Sequence, residues 1–345
     1  RRSVLLYACL HRVGWGDVPL SAIGEDCAFR RYFRLVRDGR TAILMEAVPD
    51  GDAIATPGHN IHDFIRISTY LRSIGVRAPD VYEADEENGY LLLEDFGYMS
   101  FKEAMAQNVP AEELYGLATD LLVLLRERAQ DGDIKLPSYY DSHVHKGRCR
   151  LVDWYLPCIR REQNADGLTQ DYLSVWDSIE QSLPPVPSGF LHIDYHFENL
   201  MWMPDREGTD RAGVLDFQGA MTGPLPYDLA NLLEDARVNI PGELRRAMLN
   251  RFCAGMTADE KDTFENWYRV LATQFHCRVA GQFIRLALHD GKDRYLAHLP
   301  RVLGYIDKGL AHPVLAPLKD WLVEQGFNTS QSPDISDAYI RPDAF

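Results

Sequence analysis

The chain has 345 residues, 46% of them hydrophobic and 25% charged, with a formal net charge of -15. That is enough apolar material for two domains with cores of their own, and a surface so acidic repels phosphate backbones, which argues against a nucleic-acid partner but not against a nucleotide held at a local positive site. No run approaches the roughly 20 apolar residues of a membrane span, and the 6 cysteines are scattered with no CxxC, which fits free thiols in a reducing, cytoplasmic compartment.

Arg1 and Arg2 precede a short apolar run, but no small-residue cleavage site follows, so residues 5–13 read as an amphipathic helix and not as a signal peptide. Residues 30–37 and 41–48 read as strands joined by Asp38-Gly39, a strong two-residue hairpin signal. Residues 60–74 carry helical apolar spacing (Ile61, Phe64, Ile65, Leu71) and stop before Gly75. Residues 81–84 and 90–94 read as two more strands. This β-β-α-β-β order describes a small α+β domain, residues 1–95, and the character changes after Phe96-Gly97. Residues 111–128, 151–161 and 169–182 are expected to be helical, followed by short strands at 189–193, 200–203 and 213–217 and by helices at 242–254, 259–279 and around 283–288. The second domain, residues 96–345, is thus mostly helical with a small β insertion.

The insertion contains Phe190-Leu191-His192-Ile193-Asp194-Tyr195-His196-Phe197-Glu198-Asn199-Leu200, and later Gly213-Val214-Leu215-Asp216-Phe217. Phosphoryl transfer needs residue types of this kind: one carboxylate to orient an attacking hydroxyl and take its proton, and an amide oxygen plus a second carboxylate to hold Mg²⁺ against the phosphates. Asp194, Asn199 and Asp216 supply that set. The H-x-D-x-x-x-x-N pattern, the following aspartate and Gly223-Pro224-Leu225-Pro226-Tyr227-Asp228-Leu229 together resemble the aminoglycoside phosphotransferase and choline kinase branch of the protein-kinase-like fold. Residues 28–34, 43–47, 91–95 and Asp153-Trp154-Tyr155-Leu156-Pro157 are similar to a subgroup of that branch, the bacterial anomeric kinases of cell-wall recycling that phosphorylate N-acetylmuramate and N-acetylglucosamine.

The resemblance implies a bilobal α+β fold, a small β-sheet lobe followed by a larger helical one. It implies an enzyme using ATP and Mg²⁺ on a small molecule, an amino sugar. Asp194 would be the catalytic base, Asn199 and Asp216 the metal ligands, and His192 a brace for the catalytic loop. Asp228 would order the segment beneath that loop. The backbone of Leu93, Glu94 and Asp95 would be the hinge that meets adenine. His196, Asp235 and Arg237 are expected towards the substrate.

Several positions depart from the kinase pattern. Asp95-Phe96-Gly97 spells the metal motif but precedes the catalytic loop, so Asp216 is the metal aspartate by order. The glycine-rich phosphate loop is missing except for Gly24, Met45 stands near the expected lysine, and residues 60–74 offer Asp63 but no glutamate. By period two, Arg30 and Arg34 share one strand face and Arg31 takes the other, so Arg30 or Arg34 is expected to contact phosphate.

Each assignment has a plainer rival. His192 also reads as a core histidine, Asn199 as a turn residue, His196 as a surface group and the arginines as a solvated strand edge. Trp154 and Tyr155 fit a core, and Glu234, Asp235 and Arg237 a solvated helix end. For the whole chain the rivals are an aminoglycoside or choline-type kinase, a nucleotide-binding module without turnover, and an iron site built on His192 and Asp194 alternating along a strand.

Overall fold

The computed structural model describes residues 10–16, 18–25, 30–47, 60–129 and 132–344. Residues 5–9 of the first expected helix, residues 26–28 of the phosphate turn, Phe29 and Val48 lie outside them. By packing, the chain forms two compact units, residues 1–136 with 192–221 and residues 137–191 with 222–345.

The first unit holds a five-stranded antiparallel sheet in the order β1-β2-β3-β5-β4. The strands are β1 (Ser21–Glu25), β2 (Arg31–Arg37), β3 (Arg40–Glu46), β4 (Val81–Asp85) and β5 (Tyr90–Glu94). β1 escapes the sequence reading because its five residues, SAIGE, carry no sustained alternation. The β2–β3 turn is as expected. Asp38 and Gly39 take φ of 52° and 74°, the paired left-handed values that a hairpin matching strand twist requires. Period two then sorts the sheet. Leu35, Ala42, Leu44 and Leu92 pack on one face against Leu10 and Trp15. Tyr32, Arg34, Ile43 and Leu93 line a cavity on the other.

The expected helix after β3 is Ile61–Ser73, capped by Asn60, whose side chain accepts the Asp63 N–H at 2.6 Å. Phe64 on its buried face meets Phe217 with ring centroids 4.9 Å apart. After β5 come the helices Phe101–Ala106 and Ala111–Arg128. They carry the hairpin β7 (Leu200–Trp202) and β8 (Ala212–Val214), with Phe101 against Trp202 at 5.7 Å. The packing that follows residue 95 therefore joins these helices and the catalytic loop to the sheet.

In the second unit, β6 (Ser188–Leu191) pairs with β9 (Met221–Pro224), a strand that the sequence reading does not include. Residues 151–161 are not one helix but a π-turn, Leu151–Tyr155, running into Leu156–Arg160. The segments expected at 259–279 and 283–288 are a single 33-residue helix, Ala258–Asp290. It approaches the π-turn closely at Gly281, where a Cβ would lie 2.0 Å from the Arg150 carbonyl oxygen. Trp154 and Tyr155 are buried in this helical core, as the plainer reading has it.

Candidate active site

The catalytic loop is pinned from below before its polar groups are placed. The Tyr195 hydroxyl donates to the Ala118 carbonyl at 2.8 Å. Phe197 is buried between Phe101 and Tyr115, with centroids 5.4 and 4.3 Å away. His192 donates from Nε2 to the Leu215 carbonyl at 2.8 Å, and burial lowers its pKa, so the ring is neutral. The Leu215 N–H in turn donates to the Asn199 carbonyl at 2.9 Å. Leu215 is thus held on both sides, directly before Asp216.

Two residues here are forced into the left-handed region, Ile193 at φ 77° and Asp216 at φ 58°. Each costs about 1–3 kcal/mol, and a β-branched residue is the less tolerant. Burial of one phenylalanine contributes about 1.5–3 kcal/mol, so Phe197 and Phe217 offset a strain of the same order. This corrects the expectation that His192 and Asp194 alternate along one strand and that Asp216 lies within another. β6 ends at Leu191, β8 ends at Val214, and both aspartates lie in loops. The iron alternative loses its geometry with that strand. Among the described residues no group of three or more His, Cys, Asp or Glu side chains could hold a metal ion.

Asn199 Nδ2 donates to the Asp194 carbonyl at 2.9 Å and to Asp194 Oδ2 at 3.3 Å. With its nitrogen turned to Asp194, the amide presents its oxygen as the remaining ligand atom. Asn199 and Asp216 line one cavity of about 330 Å³. Asp216 Oδ1 accepts from Arg30 Nη2 at 3.2 Å and from the Gln218 amide. One amide oxygen and one carboxylate fit Mg²⁺, which takes few protein ligands and completes its shell with water and phosphate oxygens. Ile23, Ile43, Met201 and Leu215 supply apolar walls, Arg34, Glu94 and Asp95 add polar lining, and the cavity extends along the end of β5 and the turn after it, residues 93–97.

The two candidate phosphate arginines separate. Arg34 grips Asp95 with Nε and Nη2 at 2.7 and 2.9 Å, donates to the Gly97 carbonyl, and lies 3.7 Å from the Tyr98 ring centroid. Asp95 Oδ1 also accepts the Gly97 N–H at 2.9 Å. Arg34 therefore anchors the turn after β5. Arg30 is 4% exposed and reaches Asp216. Arg31 is on the other face and donates to Glu46 at 2.8 Å. Glu94 is paired with Arg77 and accepts the Asp80 N–H at 3.2 Å. The missed residues, Tyr98 and Gln218, carried no motif signal; they matter through neighbours distant in sequence or through a strained loop.

Asp228, Asp235 and Arg237 belong to the second unit. Asp228 is buried in the helix Pro226–Leu233, and Arg237 pairs with Asp235 at 2.9 Å. Beside them Glu234 is no solvated helix end. It is wholly buried and bonded to Arg269 at 3.0 Å, His276 at 3.1 Å and Tyr268 at 3.2 Å, with Arg245 3.8 Å away.

A cavity lined by an asparagine and an aspartate, with a second aspartate hydrogen-bonded to that asparagine, is the arrangement that a protein-kinase-like phosphotransferase needs. The sequence comparisons agree, and the chain belongs to the phosphotransferase enzyme family, whose family model matches residues 19–264. It is an ATP-dependent kinase of the bilobal α+β type. It is 30% identical to an N-acetylmuramate/N-acetylglucosamine kinase of Caulobacter vibrioides, over 93% of this chain and 95% of that one. It is 32% identical to the enzyme of the same name from Pseudomonas aeruginosa, over 90% of each. Among solved structures, a choline kinase from Cryptosporidium parvum superposes with a TM-score of 0.58 at 11% identity, over 93% of this chain and 99% of that one. An aminoglycoside phosphotransferase superposes with a TM-score of 0.56 at 14% identity, over 90% and 99%. No described helix is long and apolar enough to cross a membrane.

Proposed function

We propose that the chain transfers the γ-phosphoryl group of ATP to the anomeric hydroxyl of an amino sugar of the N-acetylmuramate or N-acetylglucosamine type. The observation that carries the transfer is the hydrogen-bonded junction of Asp194 with Asn199 at the cavity end that also holds Asp216. The names of the relatives support the amino sugar over an aminoglycoside or choline.

In this reading Asp194 accepts the proton of the attacking hydroxyl as that oxygen bonds to phosphorus and ADP departs. Asn199 and Asp216 would hold Mg²⁺, which neutralises charge on the phosphates when bound. Arg30 contacts phosphate in place of the missing lysine, and Arg34 keeps the hinge Leu93–Asp95 in place for adenine. His192 fixes the loop through Leu215. Asp235 and Arg237 serve the sugar. The lobes divide at residue 95, and the enzyme works in the cytoplasm, in keeping with free Cys149, Cys158, Cys253 and Cys277.

The test is an ATP-consumption screen over N-acetylmuramate, N-acetylglucosamine, choline and an aminoglycoside, with the phosphate position in the product read by NMR. Phosphate on C1 of the amino sugars is expected. Turnover confined to choline or the aminoglycoside would replace the amino-sugar assignment.

A further inference from the structure

We infer that His196 is a positioning residue for phosphoryl transfer: its ring holds the Asp194 carboxylate in the orientation from which that group takes the acceptor's proton. The inference rests on Asp194 as the base and adds the means by which that base is aimed.

His196 stands in extended backbone at the head of the 3-10 turn Phe197–Asn199, and its Nδ1 accepts the Glu198 N–H at 3.3 Å. A ring nitrogen that accepts carries no proton, so in the neutral imidazole the proton is on Nε2. Nε2 lies 3.2 Å from Asp194 Oδ1, within ion-pair distance. Asn199 Nδ2 donates to the other oxygen, Oδ2. Asn199 Nδ2 and His196 Nε2 are also 3.3 Å apart, so the amide, the ring and the carboxylate meet at one point.

The consequence is geometric. A polar nitrogen against each oxygen limits the plane the carboxylate can take and leaves lone pairs open to the acceptor hydroxyl. An aspartate whose side chain is 59% exposed otherwise samples several rotamers, whereas His196 is 8% exposed and offers a fixed post. During transfer the hydroxyl oxygen bonds to phosphorus, the bond from phosphorus to the ADP oxygen breaks, and the hydroxyl proton passes to Asp194. His196 keeps its own proton throughout and acts through Asp194.

Two substitutions divide the ring's two contacts. His196→Asn keeps an acceptor near Nδ1 for the Glu198 N–H and removes the nitrogen beside Asp194. His196→Gln carries an amide N–H to about the place of Nε2 and removes the capping acceptor. With MgATP and amino sugar, His196→Asn is expected to lower kcat about tenfold or more with the KM for ATP and the melting temperature near wild type. His196→Gln is expected to retain most of kcat. In an Asp194→Asn background, adding His196→Asn should cost nothing further, because the group it aims is gone. A wild-type kcat in His196→Asn overturns the inference, as does an equal loss in both variants or a full additional loss in the double variant. If Asp194→Asn itself turns over at the wild-type rate, the base assignment fails; if it is inactive while His196→Asn is fully active, only the positioning role fails.

Discussion

Asp194 and Asp216 in the first unit and Glu234 in the second are all carboxylates set among arginine, histidine and amide groups, yet they are finished differently. Glu234 is sealed, with no exposed surface and donors from Arg269, His276 and Tyr268 closing on it. Asp194 and Asp216 have side chains 59% and 39% exposed, and the loops that carry them pass through left-handed backbone at Ile193 and Asp216. A carboxylate that holds a fold together has its lone pairs filled by the fold. One that serves a ligand keeps some open and is aimed by strained backbone, which survives because Phe197, Phe217, Tyr195 and His192 over-determine it. Removing each kind should therefore damage a different property.

The largest effect is expected at the open site. Asp194→Asn should reduce kcat by about 10²–10⁴-fold while nucleotide affinity, measured by calorimetry, stays close to wild type. Asp216→Ala should instead remove the Mg²⁺ dependence of ATP binding. If Asp194→Asn weakened binding and spared turnover, the open carboxylate would be structural after all, and the contrast with Glu234 would collapse.

At the sealed site the reverse holds. Glu234→Ala leaves the largely buried Arg269 and Arg245 without their anion, and breaking a buried pair in this way costs up to about 3–5 kcal/mol. Chemical denaturation should show that loss, with ATP affinity of the folded protein unchanged. A variant as stable as wild type would mean that the arginines find other partners or water.

Arg30 and Arg34 repeat the contrast at smaller scale. Both are buried, Arg30 directly before β2 and Arg34 within it, but Arg34 has its fork filled by Asp95. Arg30→Ala should raise the KM for ATP about tenfold and leave stability nearly unchanged. Arg34→Ala should lower the melting temperature as well, because Asp95 and the Gly97 carbonyl lose their donor. Arg34→Lys should not restore it, since one ammonium cannot fill two carboxylate contacts in the plane. Equal KM effects without any stability effect would place both arginines at the phosphates.

How much of this the sequence discloses follows the same division. Spacing alone brings out Asp194, Asn199 and Asp216, because the chemistry demands them in order, and Asp38-Gly39 because two-residue hairpins admit few residue types. The left-handed φ of Ile193 and Asp216 is not readable, since it is imposed by His192 and Asn199 closing on Leu215. The pairing of Arg34 with Asp95 is not readable either, because Asp95 sits in a motif that resembles something else. The helix Ala258–Asp290 reads as two because it is buried on several sides, so no single apolar stripe runs its length. β9 is missed because its four residues, MTGP, end in glycine and proline.

The smallest predicted effect uses pH to separate the two environments. Burial alone would raise the Glu234 pKa, but the hydrogen bond from His276 and the charges of Arg269 and Arg245 outweigh it and bring it from 4.5 down to about 2. Its contribution to stability is therefore complete above 4.5 and is lost as pH falls from 4.5 towards 2, where the unfolded chain takes the proton first. His276 and His192 are buried neutral, both lowered from 6.5 chiefly by burial. Below pH 6.5 the unfolded chain protonates these rings while the folded one resists, so stability begins to fall there. Denaturation midpoints should thus decline in two stages on acidification, the first set by histidines in both units and the second by Glu234 in one. Glu234→Gln should start lower and flatten only the second stage. His192→Gln, which keeps a donor for the Leu215 carbonyl, should soften only the first. A wild-type midpoint constant between pH 7 and 5, with His192→Gln tracking it, would show that neither ring is held neutral by its burial.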